Sequence, residues 1–254
     1  MQINSVNCGC LKVLATEMIK PIQRDEISAK YAIDQEGYIK LPMRGILVEE
    51  ADRKVLIDPG VADFLPMKLR QKYGLEIPVA IEEELERLRL VPEQITDVVF
   101  THLHFDHASG AFKRVPGNIV KRFPKARYHL LKKHYQYALD PDPFEADSFC
   151  TGLFKYVDRI HWLEDWDLEW MSFKVFNGHT RGMVVPEIHT ETGSVFFVSD
   201  LLPMEIFLNP ALWCGYDLEP KLQLMEKQGF LQNLAPDTGL LLFHDTLKES
   251  VFYK

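Results

Sequence analysis

The sequence predicts an α/β architecture in layers, with two sheets inside and helices outside. Three observations predict it. Short apolar runs of strand character occur in both halves of the 254-residue chain. Stretches of helical character lie between and after them. The composition, 46% hydrophobic and 26% charged, is that of an ordinary globular protein with enough apolar side chain for a large core. The length suits one domain, residues 1–254.

The elements are taken in chain order. "GILVEE", "ADRK" and "VLIDPG", from Gly45 to Gly60, read as strand, polar turn, strand. From Val61 to Leu90 the character changes: "VADFLPMKLRQKYG" and "AIEEELERLRL" read as helical, with Ile81, Leu85 and Leu88 at helical spacing and Pro66 and Pro78 as breaks. "ITDVVFT" is a short buried strand. After it come the strand "ARYHLL", the short helix "KKHYQYAL" and the Pro- and Asp-rich loop "PDPFEADSFCTG". "SFKVFNG", "MVVPEIH" and "SVFFVSD" are three further strands, the last two joined as a hairpin by "TETG". "EPKLQLMEKQGFLQNL" is a helix with Pro220 near its start, and "GLLLFHD" is a final buried strand. Segments 61–90 and 141–170 differ from the strands around them, so they are expected to cap a substrate cleft.

Charge and cysteine usage narrow the class. A net charge of −8 argues against broad nucleic-acid binding and against an anionic membrane surface. No apolar stretch approaches a membrane span, and "MQINSVNCGCLKVLA" has no basic start followed by a long apolar run. Cys8, Cys10, Cys150 and Cys214 read as small buried side chains with free thiols, the Cys8/Cys10 pair included, which fits a reducing cytoplasm.

The chemistry concentrates in "THLHFDHASG", where His102, His104, Asp106 and His107 share six positions of a chain that holds nine histidines. Crowded imidazoles repel when protonated and pack worse than aliphatic residues. A metal is the natural reward for crowding them, since neutral imidazole and carboxylate are its usual nitrogen and oxygen donors. Three more donors stand where strand-like runs end: His179 after "SFKVFNG", Asp200 at the end of "SVFFVSD" and His244 at the end of "GLLLFH". On an extended segment residues i and i+2 point the same way, so His102 and His104 can share one ion. Asp106 and His107 can then serve a second, two further histidines can complete three-ligand sets, and one carboxylate can bridge. Such sets leave an open position, which marks a catalytic site, and no cysteine is among the seven donors.

"HLHFDH" fits the pattern HxHxDH, and with His179, Asp200 and His244 following in order the sequence resembles the metallo-β-lactamase-fold hydrolase superfamily. The likeness runs from "VLIDPG" to "LLFHD" and is nearest to the lactonase and organophosphate-hydrolase-like branch. The resemblance implies an αββα four-layer sandwich of two mixed sheets flanked by helices. It implies His102, His104 and His179 on one metal, Asp106, His107 and His244 on a second, Asp200 as the bridge, and Asp58 as the outer carboxylate that orients a ligating histidine. It also implies two divalent ions per chain, zinc first, with manganese or iron as the other ions the donors accept.

A hydroxide bridging the metals would attack an ester, lactone or phosphoester, and Asp106 would pass a proton to the leaving group. The partner is then a small-molecule substrate, and a homodimer is compatible with the family. A β-lactamase is disfavoured, because Asp200 stands where those enzymes carry Cys. Lactonases of one type carry Tyr three residues after the bridging Asp, "PGH" before the first-metal histidine and a later His in that segment. Here these are Pro203, "NGH" and Met183, with Tyr216 the candidate stand-in for the tyrosine. Two other classes stay open: a mononuclear non-haem iron persulfide dioxygenase, and a binding protein that keeps the fold without catalysis.

Other residues carry a plain reading beside a functional one. Arg181 is a candidate anchor for an anionic substrate or a surface arginine. Trp162, Trp166, Trp170, Phe144, Phe149 and Phe154 line a pocket mouth or pack the core. Asp245 orients His244 or caps the next turn of the chain, while His129, His134, His161 and His189 have no paired context and read as structural or exposed.

Overall fold

Val55, Leu56 and Ile57 form a continuous apolar run with no exposed surface, as a strand covered on both faces requires. The computed structural model describes residues 1–253. Its strands are β1 (Gln2–Leu14), β2 (Tyr38–Glu50), β3 (Arg53–Ile57), β4 (Asp97–Val99), β5 (Arg127–Leu130), β6 (Ile160–Trp162), β7 (Met171–Phe176), β8 (Met183–Thr190), β9 (Gly193–Phe197), β10 (Gly239–Leu241) and β11 (Ser250–Phe252), with two short two-stranded pairs besides. The chain divides into two compact units, one of Met1–Gly9 and Met43–Asp167, the other of Cys10–Pro42 and the chain from Leu168 on. Among the described residues no helix is long and apolar enough to cross a membrane.

In the six-stranded sheet the spatial order β1 to β6 is the chain order. β2 and β3 are antiparallel, with Ile46 opposite Ile57, and Ala51 takes a left-handed φ of 51° in the turn between them. From β3 to β6 every neighbour is parallel. Parallel neighbours need crossovers. These crossovers hold the helices Met67–Lys72, Ile81–Arg87 and Lys132–Leu139 and, directly after β4, the histidine-rich loop. Asp97 starts β4 and is fully buried, gripped by Arg53, Arg127 and His129 at 2.6 to 3.0 Å. Burial pushes its carboxyl up, but hydrogen bonds from His129, Arg53 and Thr96 outweigh that and hold it far below the usual carboxylate range.

The second sheet, β7 to β11, is also ordered as the chain runs. The β8–β9 hairpin closes with Thr190 opposite Gly193, as "TETG" predicts. β9 and β10 are parallel, and their crossover contains the helix Pro220–Gln232 with Pro220 in its first turn. That helix buries Gln223, Lys227, Phe230 and Leu231. Phe230 packs edge-on against Phe176 and Phe196. Both sheets are mixed, as expected. The thirteen-residue β1 is not among the strands that the sequence pattern predicts, and the helices of 61–90 are shorter than their helical-looking stretches, covering Met67–Lys72 and Ile81–Arg87. All four cysteines are buried free thiols.

Candidate metal centre

In the first unit a group of candidate ligands is built around Asp58. This residue ends the β3 segment in a left-handed backbone, φ 47°, with no exposed surface. Its Oδ1 accepts from the Thr101 backbone N–H at 2.8 Å, and its Oδ2 from the Thr101 hydroxyl at 2.5 Å and from His107 Nδ1 at 2.8 Å. One carboxylate thus fixes the end of β4 and the ring of His107. Burial raises its pKa, and the bonds from His107 and Thr101 oppose that rise. Asp58 lies close enough to His102 and His107 to be a ligand itself, within 4.8 Å. Both its oxygens are already committed to Thr101 and His107, which fits the orienting role better.

The loop after β4 places three buried imidazoles ring to ring. His102 lies 4.5 Å from His104 and 4.1 Å from His107, centroid to centroid. The Thr101 hydroxyl spends its hydrogen on Asp58, so it accepts from His102 Nδ1 at 3.0 Å. His104 turns its Nε2 to Glu145 Oε2 at 2.9 Å, and the other Glu145 oxygen accepts from Tyr137 Oη at 2.5 Å. His102 Nε2 and His104 Nδ1 then face each other at 3.1 Å. With the outer nitrogens carrying the hydrogens, two lone pairs point into one space, an arrangement that repels until a cation shares them. Two donors of a tetrahedral zinc stand roughly 3.3 Å apart, so the spacing fits. Asp106 sets Oδ2 3.7 Å from His107 Nε2. The loop closes tightly. Gly110 N–H donates to Gly60 O at 2.7 Å, and a Cβ on Gly110 would fall 2.2 Å from Pro59 O.

In the second unit another group of candidate ligands stands after β7, β9 and β10. Beyond β7, Asn177 and Gly178 donate backbone N–H bonds to the Glu226 carboxylate at 2.8 to 2.9 Å. A Cβ on Gly178 would lie 2.4 Å from the Gln223 backbone, so only glycine lets the turn reach that helix. His179 comes next, its Nδ1 2.9 Å from Asp217 Oδ1 and its Nε2 3.1 Å from Asp200 Oδ2. Asp217 is buried and also accepts from Cys214 N–H at 2.9 Å. Burial raises its pKa against the pull of His179. Asp200 comes after Ser199, whose φ of 42° turns the chain sharply, and its carbonyl accepts from Gln223 Nε2. The other Asp200 oxygen lies 3.9 Å from His244 Nε2, and His244 Nδ1 donates to Pro42 O at 2.9 Å.

Each of the five histidines therefore has one ring nitrogen held by a protein oxygen and leaves the other toward a second donor of its own unit, the usual posture of metal-ligating histidine. The donors fit divalent metal. The sequence offers Asp58 as a candidate, whereas Glu145, Tyr137, Thr101 and Asp217 follow no spacing rule and come to light only in the structure. Asp245 accepts from Leu247 and Lys248 N–H, from Tyr31 Oη and from Glu205 N–H, so it holds the next turn of the chain. Arg181 pairs with Glu219, and Tyr216 is 36% exposed beside Asp217. Phe149 packs on the His104 ring at 4.9 Å. Trp162 lies against Tyr135 and Trp166 against His129, while Phe154 joins Phe100 and Phe112 in the core. His134 Nε2 accepts from Leu103 N–H at 2.9 Å and so supports the histidine loop.

Known structures share this fold. A probable metal-dependent hydrolase from Staphylococcus aureus superposes with a TM-score of 0.89 at 23% identity, covering 100% of this chain and 92% of its own. AidC, a dizinc quorum-quenching lactonase solved in complex with a product, gives 0.79 at 16% identity, covering 98% and 89%. The hydrolase AbOPH of the β-lactamase superfamily gives 0.76 at 22%, covering 99% and 89%. Residues 45–244 match the family profile of the metallo-β-lactamase superfamily, and with the fold and the donor set in agreement, the chain belongs to that superfamily.

Proposed function

We propose that the protein is a dinuclear metal-dependent hydrolase of a small ester, lactone or phosphoester. The observation that carries this is Asp200, whose two oxygens face two different histidines, His179 at 3.1 Å and His244 at 3.9 Å, as a carboxylate shared by two ions must. In this reading His102, His104 and His179 hold one ion, Asp106, His107 and His244 the other, and Asp200 touches both. The lactonase and hydrolase relatives support the reaction class by analogy of fold.

The ions, zinc by preference, supply Lewis acidity and a nucleophile at neutral pH. The chain's own residues do the rest. Asp58, Glu145, Asp217, Thr101 and the Pro42 carbonyl fix the tautomers, so that each of the five imidazoles offers a lone pair to a metal. Asp106 keeps 13% of its side-chain surface open while its neighbour His107 is closed, so it is the ligand placed to hold a proton for a departing alcohol. Phe149 meets the His104 ring edge-on at 4.9 Å and backs it from the side of segment 149–150. Elemental analysis of protein purified without added metal, followed by an ester, lactone and phosphodiester screen, tests the proposal. Near two ions per chain with metal-dependent turnover is expected. One iron with oxygen-dependent chemistry, or full activity without metal, overturns it.

A further inference from the structure

A cavity of about 840 Å³ opens in the first unit beside the histidine loop. Its size is that of a small-molecule site. Its inner wall is Phe105, which directly follows His104, and Phe149, whose ring packs on His104. Segment 149–150 is stitched to the loop by a bridge between His104 and Phe149 and by Cys150 N–H donating to Leu103 O at 3.2 Å. Phe64, Leu69 and Leu153 continue the apolar lining. Segments 61–90 and 141–170 thus both supply walls.

The charged residues of the lining are Lys68, Lys72, Arg114 and Asp147, three cations to one acid, in a chain whose net charge is −8. The arginine and one lysine lean on rings: Arg114 over Phe64 at 5.3 Å and Lys72 over Tyr73 at 4.9 Å. Among the described residues none of the three cations has a carboxylate partner within ion-pair distance, although Asp147 shares the lining. The helix Met67–Lys72, which carries both lysines, buries none of its residues. Packing therefore does not account for it, whereas charge placed over an apolar cleft does.

We infer that this cavity binds an amphipathic anion. An alkyl or aryl body lies against Phe64, Leu69, Phe105, Phe149 and Leu153, and a carboxylate or phosphate group is held by Lys68, Lys72 and Arg114. Calling this ligand the substrate rests on the hydrolase reading above; its binding does not. The chemistry is electrostatic selection at the rim and apolar burial within.

Isothermal titration of the whole protein with octanoate, octyl phosphate and neutral octanol tests it. The anions are expected to bind more tightly than octanol, and the ratio between the two anions tells carboxylate from phosphate. Lys68→Ala/Lys72→Ala/Arg114→Ala should weaken the anions by about tenfold and leave octanol unchanged. Phe149→Ala should weaken all three ligands. Equal binding of anions and octanol, or an anion preference untouched in the triple variant because the group sits on a bound metal instead, overturns the inference. Selective binding without turnover would remove the hydrolase reading and leave this site standing; turnover without anion selectivity would do the reverse.

Discussion

At Asp200 one side chain faces two histidines, so in the proposed two-metal site its removal should be felt at both ions. Asp200→Ala is expected to lower metal content from near two toward zero and to abolish turnover, read by elemental analysis and a hydrolase assay. The carboxylates that orient rings should act more mildly. Glu145→Gln and Asp217→Asn keep shape but weaken the grip on His104 and His179. Each should cost about 10- to 100-fold in metal affinity with the fold intact, measured by competition with a chelator and by circular dichroism. Lys227 gives a different readout. The residue is 1% exposed, and its ammonium donates to the carbonyls of Asn209 and Leu212. Burial pushes its pKa down to about 8, against the attraction of Asp217. Between that value and the ordinary lysine range the unfolded chain holds the extra proton. Stability should therefore rise with pH across that window, by about 3 kcal/mol at most. Denaturant unfolding should show this slope in the parent and lose it in Lys227→Met.

Among the elements, the turn after β7 and the start of β4 carry the sharpest expectations. Gly178→Ala puts a Cβ against the Gln223 backbone, so the turn or the helix Pro220–Gln232 must move. The cost should be about 1–3 kcal/mol, with metal occupancy falling because His179 moves with the turn. At β4, Asp97 is a buried acceptor for two arginines and a histidine. Asp97→Asn should destabilise by about 3 kcal/mol, since it leaves the guanidiniums of Arg53 and Arg127 facing a neutral amide. The sign with pH comes from the depressed pKa. The stabilisation is complete above the usual carboxylate range and is lost as pH falls through the lower folded value, so the variant should show a flatter acid limb.

Across the whole molecule, the ligand candidates lie far apart in the chain, at 102–107, 179, 200 and 244, in segments of both compact units. A metal that binds only the folded chain stabilises it by mass action, about 4 kcal/mol at a thousandfold excess over Kd. Stripping the ions should therefore lower Tm, and adding zinc should restore it; no shift in Tm would argue that the donors hold no metal. The sequence by itself determined the candidate donors and the strands that end in them, because both are local patterns. An apolar run reads as a strand from its own residues, and HxHxDH is six consecutive positions. Asp58 was legible for the same reason, as part of "LIDPG". Only the tertiary structure decided which oxygen holds which ring. Glu145 meets His104 across 41 residues and Asp217 meets His179 across 38, each from a loop without periodicity. It also decided the cavity, whose walls come from segments 64–72, 105–119 and 147–153, and the place of β1, paired only with β2 at the edge of its sheet. Ligand type is written in side-chain chemistry at one position, whereas a hydrogen-bond partner or a pocket wall depends on where distant backbone crosses, which no local pattern encodes.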